Sequence, residues 1–288
     1  MDRRRPSIVS STPMARGSLV TPMVLYTRAT AFLRRWLDRS DRLTGAFMSA
    51  ALSIEEKSDV SVRLYDASPV HRGTAMQPWE QAWLARRLPP APSRILVGAC
   101  GAGRELLPLT PAGYTVDAFE PAPSLAATAR ERTIGAARVL AFRYEELSAA
   151  VLDGAPNAAA ELARERYDAV LLGWGSLAHV LDERERMRLM QALARLCPQG
   201  PWLASFLRDD LPDGRAHLGR VERWGARLGH TVAQLRRLPG TGSREIFLSH
   251  VGFGHLFTSS ELEALAAHVG RQLQWDDDDT DYPHATFV

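Results

Sequence analysis

Between residues 94 and 206 the chain repeats one unit: a short apolar run, a turn, then a stretch with helical spacing. The runs cover residues 95–97, 114–119, 139–142, 167–172 and 202–206. Short runs that are apolar throughout fit strands buried on both faces. The alternation therefore predicts a parallel sheet with helices on both sides. Right-handed crossovers then gather the loops that follow the strands along one sheet edge, where such folds bind ligands. The clearest crossover helix starts at Asp182, a capping residue with Glu183 and Glu185 in the first turn behind it. Met187, Met190, Leu193 and Leu196 give it an apolar side, and Pro198 and Gly200 end it. Further helices are expected over 104–109 and 124–132.

Outside this block the patterning is weaker. Leu25, Ala29, Phe32, Leu33 and Trp36 recur at helical spacing, and Leu43, Phe47 and Ala50 resume it after a polar break at 38–41. Residues 60–75 read as a loop, and 78–88 as a short helix with Pro78 in its first turn. The proline cluster at 89–92 marks a boundary. The expected organisation is a disordered tail over 1–18, a helical cap over 19–92 and a main domain over 93–288. Residues 207–243 form an inserted cap segment in this reading. Its helical stripe is Val221, Trp224, Leu228, Val232 and Leu235. A strand is expected within 244–251. Thr258 and Glu261 form a capping box, and closing strands near 272–275 and 285–288 complete the sheet.

The feature with the most chemistry is Ile95-Leu96-Val97-Gly98-Ala99-Cys100-Gly101-Ala102-Gly103-Arg104-Glu105. A strand that turns at once into a helix, with small residues in the turn, lets backbone approach a ligand closely. The dinucleotide spacing of glycines is incomplete, because Leu106 stands where its third glycine belongs. No Walker lysine follows. Glu120 stands at the end of the second run, where a carboxylate can accept hydrogen bonds from both hydroxyls of a ribose.

In order along the chain, this loop, Val116-Asp117-Ala118-Phe119-Glu120-Pro121, residues 167–172, Gly173-Trp174-Gly175-Ser176-Leu177-Ala178-His179 and Cys197-Pro198-Gln199-Gly200-Pro201 resemble the motifs of class I S-adenosylmethionine-dependent methyltransferases. The likeness is to the small-molecule type and spans roughly residues 78–288. It implies an α/β fold: a Rossmann-like, doubly wound, mostly parallel seven-stranded sheet with helices on both faces, here with an N-terminal helical cap. It also implies S-adenosyl-L-methionine as cofactor. Gly98, Ala99, Cys100, Gly101, Gly103, Glu120, Pro121, Tyr144, Glu145, Gly173 and Trp174 are the positions that would hold it. The chain departs from the family where Val97 replaces an acid, Ala99 a glycine, and Arg143 an aspartate after the third strand.

Methyl transfer from a sulfonium needs alignment and exclusion of water more than it needs a catalytic apparatus. A base is required only if the acceptor must lose a proton. His179, in the loop after the fourth strand, is the candidate base. Tyr65, His71 and Arg72 from the cap, and Arg208 after the fifth strand, are candidates for holding the acceptor. Trp79 and Glu80 stand just before the sheet and could reach the cofactor's methionine end.

Composition narrows the partners. With 35 basic against 33 acidic side chains the net charge is +2, which gives no field to collect nucleic acid. A small-molecule or peptide acceptor is the expected partner, with no nucleic acid and no membrane, and a homodimer is compatible with the sequence. Cys100 and Cys197 make neither a disulfide framework nor a zinc spacing, and a cytoplasmic location fits. Asp276-Asp277-Asp278-Asp279 lacks the alternation of a calcium loop, so no metal is expected. Three rivals stand beside the methyltransferase reading. They are an NAD(P)-dependent oxidoreductase, a non-catalytic methyltransferase-like binding protein, and an RNA methyltransferase using the Arg3-Arg4-Arg5 arm.

Overall fold

A computed structural model of the chain describes residues 20–209, 219–238, 244–276 and 282–288. The tail expected over 1–18 and three of the four consecutive aspartates, Asp277 to Asp279, lie outside them. The chain divides into two compact units, Met1–Arg42 and Leu43–Val288. Helix α1 (Val20–Ala51) supplies the described part of the first unit and opens the second, with no interruption at 38–41.

The second unit carries the sheet. Strands β1 (Arg94–Gly98), β2 (Thr115–Phe119), β3 (Ala137–Leu140), β4 (Ala169–Leu172) and β5 (Trp202–Ser205) are parallel. Strand β6 (Leu207–Arg208), β7 (Glu245–Leu248) and β8 (Gly252–Phe257) make a separate small sheet in the order β6-β8-β7. Strands β9 (Leu273–Trp275) and β10 (His284–Phe287) return to the main sheet, which has the order β3-β2-β1-β4-β5-β10-β9 with β10 antiparallel to both neighbours. The strand order reverses between β1 and β4, so the loops after these two strands diverge and open a crevice.

Both sheet faces are dry. On β1, Leu96 joins one core while Ile95 and Val97 join the other, and β4 divides the same way between Val170 and Leu171. The first core is closed by α6 (Tyr144–Asp153), α7 (Glu183–Leu196) and α9 (Ser259–His268) through Leu147, Leu193 and Leu262. The second is closed by α3 (Pro78–Arg87), α4 (Leu106–Leu109) and α5 (Pro123–Thr133) through Trp83, Leu106 and Ala126. Each fully buried Leu, Ile or Val side chain contributes roughly 1.5–3 kcal/mol, which is what holds strands of only four or five residues in place.

Three segments differ from the sequence expectation. Residues 60–67 belong to helix α2 (Ile54–Ala67), and only 69–72 form a short 3₁₀ turn. The helix lacks a clear apolar stripe because its inward face is mixed: Val62 and Tyr65 pack on Ala102, Ala122 and Leu125, and its buried residues are polar. Lys57 is fully buried and pairs with Glu245 at 2.5 Å. Ser61, also buried, accepts the backbone N–H of Phe253. The Ser53–Glu56 capping box starts the helix. Second, the helix expected from residue 104 begins only at Leu106, because the glycine turn continues through Glu105. Third, the single strand expected at 244–251 is the first arm of the β7–β8 hairpin, which pivots at Gly252 with φ +82°. In the inserted segment, helix α8 (Arg220–Leu235) packs Gly225 against the Leu43 carbonyl and Gly229 against the Phe47 carbonyl, so the two glycines are its contact face.

Candidate functional site

The crevice after β1 is a cleft with about 870 Å³ of empty space, part of it open to solvent. Its floor is the glycine turn. Ala99 takes φ +50°, Gly101 φ +55° and Gly103 φ +88°, a left-handed course that glycine follows freely and alanine at a cost of roughly 1–2 kcal/mol. Gly103 also lets α5 approach: a Cβ there would meet Ala129 at 3.2 Å. Helix α2 forms one wall with Ser58, Ser61, Val62 and Tyr65. Asp59 pairs with Arg143 at 2.5 Å, and Asp66 accepts from the Ser124 backbone N–H and hydroxyl, so α2 is tied to the starts of α6 and α5.

Glu120 sits at the tip of β2, only 5% exposed. One carboxylate oxygen accepts the Gly101 N–H at 2.8 Å and the other the Ala122 N–H at 2.9 Å. Burial pushes its pKa up to about 7, against the opposing pull of those two N–H groups. Each oxygen keeps a free lone pair, so the group that orders the turn can also receive two ligand hydroxyls.

At the β4 side stands a buried charge cluster. Arg104 donates to both oxygens of Glu80, at 2.7 and 2.5 Å, and to Glu105 at 2.6 Å. Two carboxylates share one guanidinium, which leaves the cluster negative when both are ionised. Burial raises Glu80 to about 7 despite Arg104 beside it. The same guanidinium lies over the Trp174 ring, 4.7 Å from its centre. Gly173 is hemmed in by Glu80 and Glu105, at 3.3 and 3.2 Å from where its Cβ would be.

Aromatic rings continue from there. Trp174 meets His71 edge-on at 5.6 Å, His71 stacks on Tyr65 at 3.9 Å, and Tyr65 meets His179 edge-on at 5.0 Å. His179 Nδ1 is 2.8 Å from the Phe253 carbonyl and Nε2 is 2.8 Å from the Tyr65 hydroxyl. Burial holds His179 down to about 4. Among the buried polar atoms of this cleft, His71 Nδ1 has no hydrogen-bond partner, and the Tyr144 and Ser176 hydroxyls have only each other. Natural folds rarely leave buried polar groups so poorly paired, so this wall fits a surface that is completed by a ligand.

The cleft gathers Tyr65, His71, Ala99, Cys100, Gly101, Glu120, Pro121, Tyr144, Glu145, Gly173, Trp174 and His179 from the sequence reading. Gly98 and Gly103 lie beneath the turn and shape it without lining the cleft. Arg72 is exposed and donates to Ser124, and Arg208 donates to Ser259 and lies over Trp275, so neither arginine lines it. Sequence reasoning overlooked Ser58, Ser61, Val62 and Ser176, and left Arg104 and Glu105 as parts of the loop without a charge role. The polar helix α2 carried no apolar period that would have exposed the first three. The acid–base–acid spacing of Glu80, Arg104 and Glu105 becomes a cluster only once α3 is docked on the loop. His284, on β10, is buried and stacked on Trp79 at 4.3 Å. Among the described residues no group of three or more metal-ligating side chains could hold a metal, and no helix is long and apolar enough to cross a membrane.

No family model matches the chain, and no curated protein sequence matches it significantly. Solved structures do resemble it. The CcbJ methyltransferase from Streptomyces caelestis superposes with a TM-score of 0.51 at 15% identity, over 78% of this chain and 94% of that one. The PH0226 protein from Pyrococcus horikoshii OT3 also gives 0.51 at 15% identity, over 78% of this chain and 97% of that one. Together with the strand order and the single antiparallel strand, these likenesses establish a Rossmann-like fold, shared with the CcbJ methyltransferase. At such identity they speak to the fold alone, and the reading of activity rests on the cleft.

Proposed function

We propose that the chain is an S-adenosylmethionine-dependent methyltransferase that methylates a nitrogen or oxygen of a small molecule or peptide. The observation that carries this reading is the charge of the cleft. Glu105, Glu120 and Glu145 line it, and its two lining arginines, Arg104 and Arg143, are already paired with carboxylates. Such a surface favours a cationic cofactor and opposes the pyrophosphate of a dinucleotide. The pyrophosphate would also want a helix N-terminus, and here the helix starts late, at Leu106, and is four residues long.

The residues present fit that cofactor. Glu120 would receive the ribose hydroxyls. The hydroxyls of Tyr144 and Ser176, buried and paired only with each other, keep hydrogen-bonding capacity for the remaining polar edge. The cluster of Glu80, Arg104 and Glu105, negative once Glu80 is ionised, would hold the ammonium at the methionine end, with Trp174 as a wall. The bound cofactor would supply a methyl already activated by the positive sulfur. The protein's own part is to hold both reactants in line and to keep water out, and the aromatic ring series over the cleft serves both ends. The Asp59–Arg143 and Asp66–Ser124 contacts would clamp α2 over them.

A thermal-shift comparison tests the reading. Ligand binding to the folded chain stabilises it by about 2.7 kcal/mol at a hundredfold excess over Kd, several degrees in Tm. S-adenosylmethionine and S-adenosylhomocysteine should raise Tm, and NAD and NADP should not. A rise with the dinucleotides alone would replace this reading with an oxidoreductase.

A further inference from the structure

Resting on the cofactor reading above, we propose that the Tyr65 hydroxyl, positioned by His179, receives the N–H of an amine acceptor, so that the methyl group goes to nitrogen and not to a hydroxyl or carboxylate oxygen. The argument starts from a fixed tautomer. A carbonyl oxygen only accepts, so the 2.8 Å contact of His179 Nδ1 with the Phe253 carbonyl puts a proton on Nδ1. A neutral imidazole then has a bare Nε2. That nitrogen is 2.8 Å from the Tyr65 oxygen, so the tyrosine O–H donates to it. Burial, which holds His179 well below its ordinary pKa, keeps the ring in this neutral form. The Tyr65 proton is therefore committed, and the oxygen of this cleft-lining side chain has only lone pairs left to offer a ligand.

This arrangement selects among acceptors. A carboxylate nucleophile has no proton to give and would meet an oxygen that cannot donate. A hydroxyl nucleophile needs a base during the attack, and the lone pair of His179 is engaged by Tyr65 and weak. A neutral amine needs neither. Its nitrogen lone pair forms the N–C bond while the C–S bond breaks, and the electron pair of that bond stays on sulfur. The positive charge moves from sulfur to nitrogen, and the nitrogen keeps its proton until the product reaches water. As that charge develops, the N–H becomes a charge-assisted donor to Tyr65. An interaction that strengthens in the transition state raises kcat more than it lowers KM. Tyr65 is thus assigned contact with the acceptor, and His179 acts through it as a positioning residue. The dyad sits at the far end of the ring series that starts at Trp174 beside the Glu80–Arg104–Glu105 cluster, which is the methionine end in the reading above.

The test uses the full chain labelled with ¹⁵N-histidine, with the His179 signals assigned by their loss in His179→Gln. Near neutral pH His179 should show a proton on Nδ1 and none on Nε2, and Tyr65→Phe should shift the Nε2 signal. A proton on Nε2, or a charged ring, overturns the proposal. On the same samples, radiolabelled S-adenosylmethionine is offered with benzylamine, benzyl alcohol and benzoate as probes. Label is expected on benzylamine only. Tyr65→Phe should lower kcat about 10- to 100-fold, the value of one hydrogen bond to a charged group, with KM little changed. His179→Gln, whose amide oxygen can still accept from Tyr65, should keep more activity than His179→Ala. Label on the alcohol or on benzoate, or no label on benzylamine from a chain that binds the cofactor, overturns the proposal. A calorimetric titration with the cofactor separates the two readings. Absence of binding sinks the cofactor reading, whereas intact binding with a proton on Nε2 sinks the dyad alone.

Discussion

Raising the pH through neutrality should weaken this fold, and Glu120 is a principal cause. Its carboxyl titrates near 7 in the folded chain, against an ordinary 4.5, because burial opposes the charge more than the Gly101 and Ala122 N–H groups favour it. The sign follows from proton binding. Below 4.5 both the folded and the unfolded chain hold the proton. Between 4.5 and about 7 the unfolded chain has released it and the folded chain has not, so stability falls steadily. Above about 7 both are ionised and the loss is complete. The size of the displacement corresponds to about 3 kcal/mol. Glu120→Gln removes the titration. It should cost about 1–2 kcal/mol at acid pH, because its amide nitrogen would face one of the two N–H donors. The assay is urea unfolding of both proteins at a series of pH values between about 5 and 8, with equal m-values required. The wild type should lose about 2–3 kcal/mol more than the variant across that range. Parallel pH dependences would refute the burial argument for Glu120.

Two further outcomes follow from geometry. Arg104→Met leaves Glu80 and Glu105 buried together without their cation and should destabilise the chain by about 3–5 kcal/mol, read by chemical denaturation. Gly229→Ala places a Cβ 2.4 Å from the Phe47 carbonyl and 2.7 Å from Ala50, which should loosen α8 from residues 43–51. Hydrogen exchange should show faster opening of the amides in α8, with the main sheet unchanged.

How much of this was legible in the sequence depended on where apolar periodicity coincides with burial. The five parallel strands were, since Ile95, Val170 and Leu203 face dry cores and stand in short apolar runs bounded by turn residues. The glycine turn and Glu120 were legible for the same local reason: residue types that tolerate a left-handed course, followed by a carboxylate at a strand end. Helix α2 was not, because Lys57 and Ser61 do the work of apolar residues there, one through an ion pair and one through a backbone hydrogen bond. The pairing of Tyr65 with His179 spans 114 positions and depends on that helix, so no local pattern could announce it. Arg72 is a candidate by its place along the chain and Arg208 by resemblance to the small-molecule enzymes. The turn over 69–72 and the short strand β6 carry their side chains to Ser124 and Ser259 instead. Gly225 and Gly229 looked like flaws in a helical stripe and are the points where two backbones meet.

The claim at the centre of this account is that the cleft over the β1 turn binds S-adenosylmethionine through Glu120. Titration calorimetry of S-adenosylmethionine and S-adenosylhomocysteine into the wild type and into Glu120→Ala tests it most directly. Two carboxylate hydrogen bonds to ribose predict saturable binding by the wild type, weakened tenfold or more by the substitution while the far-ultraviolet spectrum stays native. Equal affinity in both proteins, or no heat from a folded wild type at millimolar ligand, would contradict it.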